Sequence, residues 1–395
     1  MFPSAPKTRV ILFAVVLLLL TVAMVLFSRA PEPKYNEQSG TGGREYVKAK
    51  VLRVLKEELE KDSERGNTYH GYQEIEVRIL SGEHKGEVHT VTNNVSVYLN
   101  VIAKQGQTLI ANIDSAGKDF YLVTVYSYYR APILLAMFLI FFGLLWWIGG
   151  KKGLKSVLGI LFTLGCIVWL FIPMLYRGYS PLLASLLIVV LTTCVTLLLL
   201  NGWTPKSLAA ILGTISGVAL SGILAYAFGQ WAHITGYNTA EVEVLVVVAD
   251  QTGLQLGGLL FAGILLSSLG AIIDVGISIA AAVQEVYETN PNLSRRELYR
   301  SGLNVGRDMM GTMANTLILA LTGTTLASLM ILYAVKVPFS QLTNMNMMTV
   351  EIVQGLTGCI GVVLTVPIVA FISARVIPDS GKTASTASEL QSKSA

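Results

Sequence analysis

The chain is 395 residues long, 53% hydrophobic and 14% charged, with a mean hydropathy of +0.59. A soluble chain carries about 25% charged residues, so this balance excludes an ordinary soluble domain and requires most residues to be solvated by lipid or by one another. The net charge of +4 does not argue for nucleic acid, because the lysines and arginines sit beside the ends of apolar segments and form no patch.

Lys7 and Arg9 precede the apolar run Val10 to Phe27. About 18 apolar residues exceed the h-region of a secretory signal, and Ser28-Arg29-Ala30 is a poor cleavage site. An uncleaved signal-anchor helix is therefore expected over residues 1–30, with its basic flank in the cytoplasm.

Residues 31–130 change character. Pro31, Pro33 and the stretch Gln38 to Gly43 read as a linker. Five alternating runs follow, Tyr46 to Leu55, Gln73 to Leu80, Glu87 to Val95, Thr108 to Ile113 and Phe120 to Tyr126, with turn residues at Ser81-Gly82, Lys85-Gly86 and Ser115 to Gly117. They predict one small extracytoplasmic all-β domain, OB-like or a small barrel. His84, Glu87 and His89 around one hairpin have metal-ligand chemistry. No cysteine or further histidine lies close in sequence to complete a site, so a solvated turn is the expectation and no metal is assigned.

Seven further apolar spans are expected within residues 131–377: Ala131 to Ile148, Leu154 to Pro173, Leu182 to Leu200, Leu208 to Phe228, Gly257 to Val283, Met309 to Val335 and Val350 to Ile372. With the anchor they predict a polytopic α-helical membrane protein of about eight transmembrane helices. Lys151, Lys152, Lys155, Lys206, Arg295, Arg296, Arg300, Arg307 and Arg375 collect on one side, which places both termini in the cytoplasm. Glycines and serines at helical spacing on the fifth span suit close helix approach; faces of this kind on the fifth and eighth spans fit a dimer or a monomer's interior equally. Ser294 and Glu297 are spaced as a capping box for a short helix carrying Arg295, Arg296 and Arg300, ahead of the seventh span. The Ser- and Thr-rich tail, 378–395, is expected to be disordered. Cys166, Cys194 and Cys359 all fall inside spans and read as small core residues, not as a disulfide framework.

The connection from Gly229 to Gly257 contains Glu241, Glu243 and the run Val244 to Ala249, too short to span. A partly inserted element, interfacial or re-entrant, is expected there. Asp250 and Gln251 follow it, where an outer entrance would stand.

The sixth and seventh spans carry the chemistry. Ser267, Gly270, Asp274, Ser278 and Glu285 recur at steps of three or four and share one helical face; Asp308, Thr312, Asn315 and Thr322 do the same on the next span. Counting inward from Glu285 and from Arg307 gives Asp274 a depth of about 16 Å and Asn315 about 12 Å at 1.5 Å per residue, so the two are expected to meet. Hydrocarbon does not solvate a carboxylate, and an intramembrane acid marks a functional site by default. Desolvation also brings protonation of such a group within reach of neutral pH, the property a proton carrier needs. Asp274 is thus the candidate ion- or proton-binding acid, with Asn315, Thr312, Asp308 and Ser278 around it and Arg307 and Glu285 setting topology or gating.

The stretches Gly270 to Ser278, Glu285 to Pro291, and Ser301 to Leu317 with its Gly306-Arg307-Asp308 and Thr312-Met313-Ala314-Asn315 closely resemble the signature of the YibE/F family of bacterial membrane proteins. The resemblance covers the whole chain and implies a signal anchor, a small outer domain and a multi-span region. A weaker similarity is to the RND permeases and the SecD/SecF translocon accessories, on Gly270 to Asp274, the basic loop Arg295 to Arg307 and the helix Thr312 to Thr325. In RND permeases buried acids relay protons that drive the outer domain. This chain departs from them in having one deep acid, not a pair, and more spans after the outer domain than the usual five.

The expected function is a proton- or ion-coupled transporter or permease for a small solute or ion. The alternative is a scaffold or sensor whose outer β domain binds a protein partner; self-association is compatible with both. No histidine lies inside a span, His233 falls in an outer loop without an evident partner, and no metalloprotease or serine-nucleophile spacing appears, so neither an enzyme nor a cofactor is expected.

Overall fold

The computed structural model describes residues 6–31, 44–62, 66, 68–115, 121–238 and 242–392. The glycine-rich linker, Ala116-Gly117 and Glu241 lie outside them. Contacts divide the chain into two compact units, Asn36–Leu144 and Met1–Tyr35 with Leu145–Ala395.

The first unit contains five antiparallel strands, β1 (Arg44–Lys61), β2 (Tyr69–Ile79), β3 (Val88–Val95), β4 (Thr108–Ser115) and β5 (Tyr121–Tyr128), in the order β3-β2-β1-β4-β5. Each predicted run is a strand. Alternation sends Val47, Ala49, Val51, Ile75, Val77, Ile79, Leu109 and Ile113 into a single core. Register shifts between Val51 and Arg53 and between Val54 and Lys56 bend the long β1, and β3 approaches β5, so the sheet curls into a half-barrel. Gln73, fully buried on β2, ties the long β3–β4 connection to this core. Its Oε1 accepts from Asn93 Nδ2 (3.1 Å) and the Ala103 amide (2.8 Å), and its Nε2 donates to Glu57 (2.7 Å) and the Ala103 carbonyl (3.2 Å).

The second unit is helical. The elements in order are α1 (Pro6–Ser28), α2 (Ala131–Cys166, which begins in the first unit), a π-helical turn (Ile167–Phe171), α3 (Ile172–Tyr176), α4 (Pro181–Asn201), α5 (Pro205–Trp231), α6 (Val242–Thr252), α7 (Leu259–Thr289), α8 (Arg295–Ala334), α9 (Phe339–Leu342) and α10 (Asn346–Ser392). Six helices among the described residues are long and apolar enough to cross a membrane; the apolar stretch of α1, Phe13–Ser28, is shorter. One of the six, Ala131–Tyr176, is 46 residues long and is broken at Gly150, whose φ of 53° and ψ of −132° favour glycine.

α5, α7 and α10 make the centre. Small residues let α5 and α10 touch: a Cβ on Gly217 would lie 1.9 Å from Thr365 Oγ1, and one on Gly361 2.6 Å from Ser221 Cβ. The small-residue faces of the fifth and eighth spans therefore close on each other inside the chain.

Two expectations are corrected here. Ser294 and Glu297 do form the capping box, but the helix they start does not stop before Met309; α8 runs unbroken for 40 residues, because neither proline nor an unsatisfied turn interrupts Arg300 to Met309. Helix also continues past Pro378 to Ser392, over the tail whose composition predicts disorder; apart from Gly381 that stretch lacks strong breakers and holds several good helix formers.

Candidate functional site

α7 buries Ile272, Val275, Gly276, Ile279 and Val283 along one side. The opposite side, with Ser267, Gly270, Asp274 and Glu285, is exposed, and Ser278 is half-buried. The predicted polar seam is thus one face, and it points away from the bundle core. Asp274 forms no hydrogen bond or ion pair with any described residue.

α8 packs through Gly302 and Gly306, where a Cβ would meet Val283 of α7 at 2.8 Å and Val366 of α10 at 2.2 Å. Its far side exposes Arg307, Asp308, Thr312, Asn315 and Thr316. The Thr312 hydroxyl donates to the Met309 carbonyl (2.8 Å) and that of Thr316 to the Thr312 carbonyl (2.9 Å), which leaves both oxygens able to accept.

The expected meeting of Asp274 with Asn315 is not found within one chain. Gly302 sits beside Val283 and Gly306 beside Ile279; extended along the antiparallel pair, that register puts Asp274 level with Gly311 and Thr312, and Asn315 about one turn, or 6 Å, farther toward the end of α8. The depth count failed because Glu285 is level with Arg300, not Arg307. Both side chains also stand on faces turned away from the contact between α7 and α8.

Asp250 and Gln251 are exposed in the last turn of α6. The chain just beyond lies against the loop after α3, where Gln255 Nε2 donates to the Gly178 carbonyl at 2.8 Å.

Sequence reasoning missed one acid. Glu351, near the start of α10, lines a cavity of about 270 Å³ with Thr322, Thr325, Leu329 and Met348. It is the second residue of the expected eighth span, so the criterion that found Asp274, an acid deep inside an apolar span, passes over it. Gln354, three residues on, reaches Ser267 Oγ on the polar face of α7 at 3.4 Å.

In the β unit, Glu87 gathers His84 Nδ1 (3.2 Å), His89 Nε2 (3.0 Å) and the Tyr121 hydroxyl, all donating to its carboxylate. Tyr121 first and then the two histidines hold that carboxyl down to about 2, and Glu87 in turn pushes Tyr121 up. The expected solvated turn is an exposed cluster bridging to β5. Among the described residues no group of three or more His, Cys, Asp or Glu is placed to hold a metal ion.

A family model described as YibE/F-like protein matches residues 137–379, and one described as YibE/F family N-terminal domain matches residues 44–128. No curated protein and no solved structure matches the chain. The first model alone spans more than half of the sequence and includes both polar faces, the second covers all five strands, and on this ground the chain belongs to the YibE/F family.

Proposed function

We propose that this chain is a proton- or ion-coupled transporter of the bacterial plasma membrane and that Asp274 is its intramembrane acid. The observation that carries the reading is a carboxylate halfway along an apolar helix, with no partner among the described residues. A charge at that depth is costly and persists where it has work to do. In this reading the chain crosses eight times, with α1 as anchor and the 46-residue helix counted as two spans about Gly150. Both termini are cytoplasmic and residues 31–130 are extracytoplasmic, as the distribution of lysine and arginine supports. The curled sheet serves as an OB-like docking or gating domain, and α6, about 16 Å long by 1.5 Å per residue, as a partly inserted outer element beside Asp250 and Gln251.

Proton release from purified, reconstituted protein, on addition of candidate cations and small anions, tests the reading. Release should be about one proton per chain and vanish in Asp274→Asn; an equal release from Asp274→Asn refutes it. A second reading, a non-transporting scaffold or sensor, is favoured by the tip Val97-Tyr98-Leu99 of the β unit, where Tyr98 is 94% exposed. It predicts that deletion of residues 40–128 abolishes the cellular phenotype while Asp274→Asn leaves it intact.

A further inference from the structure

The polar faces of α7 and α8 are exposed, although Gln354 reaches Ser267. No residue in the most apolar 18-residue stretch of α8 is buried, against 39 to 50% in the five other candidate spans. That apolar stretch suits lipid, but the exposed side of α8 ahead of it carries Asp308, Thr312 and Asn315, and the neighbouring helix presents Asp274. Polar side chains at membrane depth face protein or water, not hydrocarbon.

The glycines give an independent indication. On α7 and α8 the inward glycines, Gly276, Gly302 and Gly306, would clash if given a Cβ. Gly263 and Gly270 of α7 and Gly311 and Gly323 of α8 would meet nothing within 4 Å, and all four are on the exposed sides. A glycine inside a helix costs about 1 kcal/mol relative to alanine, and nothing within the chain accounts for these four. Close approach of another helix would.

We propose that a second copy of this chain covers the α7–α8 face, so that α8 of one copy closes the Asp274 site of the other. The face is self-complementary. α7 presents the carboxylates Asp274 and Glu285, whereas α8 presents Arg300, Arg307 and the Asn315 amide, with Asp308 as the one carboxylate among them between residues 300 and 315. A two-fold axis along the membrane normal preserves depth and lays one patch on itself reversed, α7 on the partner's α8. At that register Asp274 is level with Gly311 and Thr312 of the partner, within about one turn of both Arg307 and Asn315. The contact that one chain cannot make is supplied between two. This inference rests on the reading of Asp274 as a working acid, but its test reads association and not transport.

Two differently tagged copies, each with Cys166, Cys194 and Cys359 replaced by alanine, are expressed together, one carrying Ser267→Cys and the other Ile318→Cys, exposed positions that the register makes level. Oxidation in native membranes should join the two tags in one band of doubled mass. A copy carrying Leu183→Cys, at a position 70% exposed on α4, should not join the Ile318→Cys copy. Independently, native mass spectrometry of the unmodified chain from lipid nanodiscs should give twice 42.6 kDa. A 42.6 kDa species without the cross-link, or cross-linking at Leu183 as strong as at Ser267, overturns the proposal. If the doubled band forms while Asp274→Asn releases protons normally, the interface stands and the transport reading falls.

Discussion

Gly217→Ala tests the packing on which the site is mounted. The added Cβ would lie 1.9 Å from Thr365 Oγ1 and 3.3 Å from Ile272 Cγ2. Ordinary contact begins near 3.4 Å, so α5 and α10 must separate locally by about 1.5 Å. Thr365 has little freedom to yield: it is fully buried, and its hydroxyl donates to the Gly361 carbonyl at 2.7 Å. Overpacking of this kind costs about 1–3 kcal/mol, and the closeness of the clash puts Gly217→Ala at about 2–3. Thr365→Ala alone should cost about 1 kcal/mol, and because it removes the clashing atom the double variant should be about 1–2 kcal/mol more stable than additivity predicts. Reversible unfolding in mixed micelles, by titration with dodecyl sulfate and read by circular dichroism, supplies all four corners of the cycle. Gly143→Ala, where a Cβ meets nothing, is the control and should cost nothing. A neutral Gly217→Ala, or strict additivity in the double variant, would refute the close α5–α10 contact.

Gln73→Ala leaves the Ala103 amide and Asn93 Nδ2 without one shared acceptor and should cost about 2 kcal/mol, seen as faster hydrogen exchange through residues 96–107; unchanged exchange there would show that Gln73 does not hold the loop. Glu87 is held at about 2, below its ordinary 4.5, so its contribution is fully present above about pH 4.5 and is lost as pH falls through about 2. Glu87→Gln should therefore speed exchange in β3 and β5 at neutral pH, with the difference from the parent closing toward pH 2; a difference that persists at pH 2 points to packing instead. Glu351→Gln should slow proton release several-fold without lowering the amount per chain, in contrast to Asp274→Asn; a reduced amount would make Glu351 a second binding acid.

What the sequence made legible follows from which forces are local. Alternation over β1 to β5 and the capping box at Ser294 need only neighbouring residues, and both are found. Apolar length located six helices long enough to cross a membrane for the same reason, with the expected second and third spans joined in one helix and the apolar stretch of α1 shorter. Facing was legible too: Ser267, Asp274 and Glu285 do share a side, because helical period alone decides it. Depth was not, since the level of Asp274 against α8 depends on where Gly302 seats on Val283, a tertiary contact that no spacing reveals. Glu87 was seen with its histidines but without Tyr121, which arrives from a strand 34 residues away.

The sequence also left open what the small residues were for, and the two classes of helical glycine answer differently. Those of α5 and α10 have their function within the chain, since removing the side chain is what lets the two backbones approach. With that approach made, the core of the helical unit is closed around the buried side of α7, and no space remains inside for Asp274. A polar face excluded from its own core and lying in an apolar span has two outcomes, a water-filled opening or another protein surface. An opening would not favour glycine over alanine at Gly270 or Gly311, because solvent accommodates a methyl group. A helix approaching to backbone distance would, and on that physical ground the glycines favour the proposed interface over the wall of a channel.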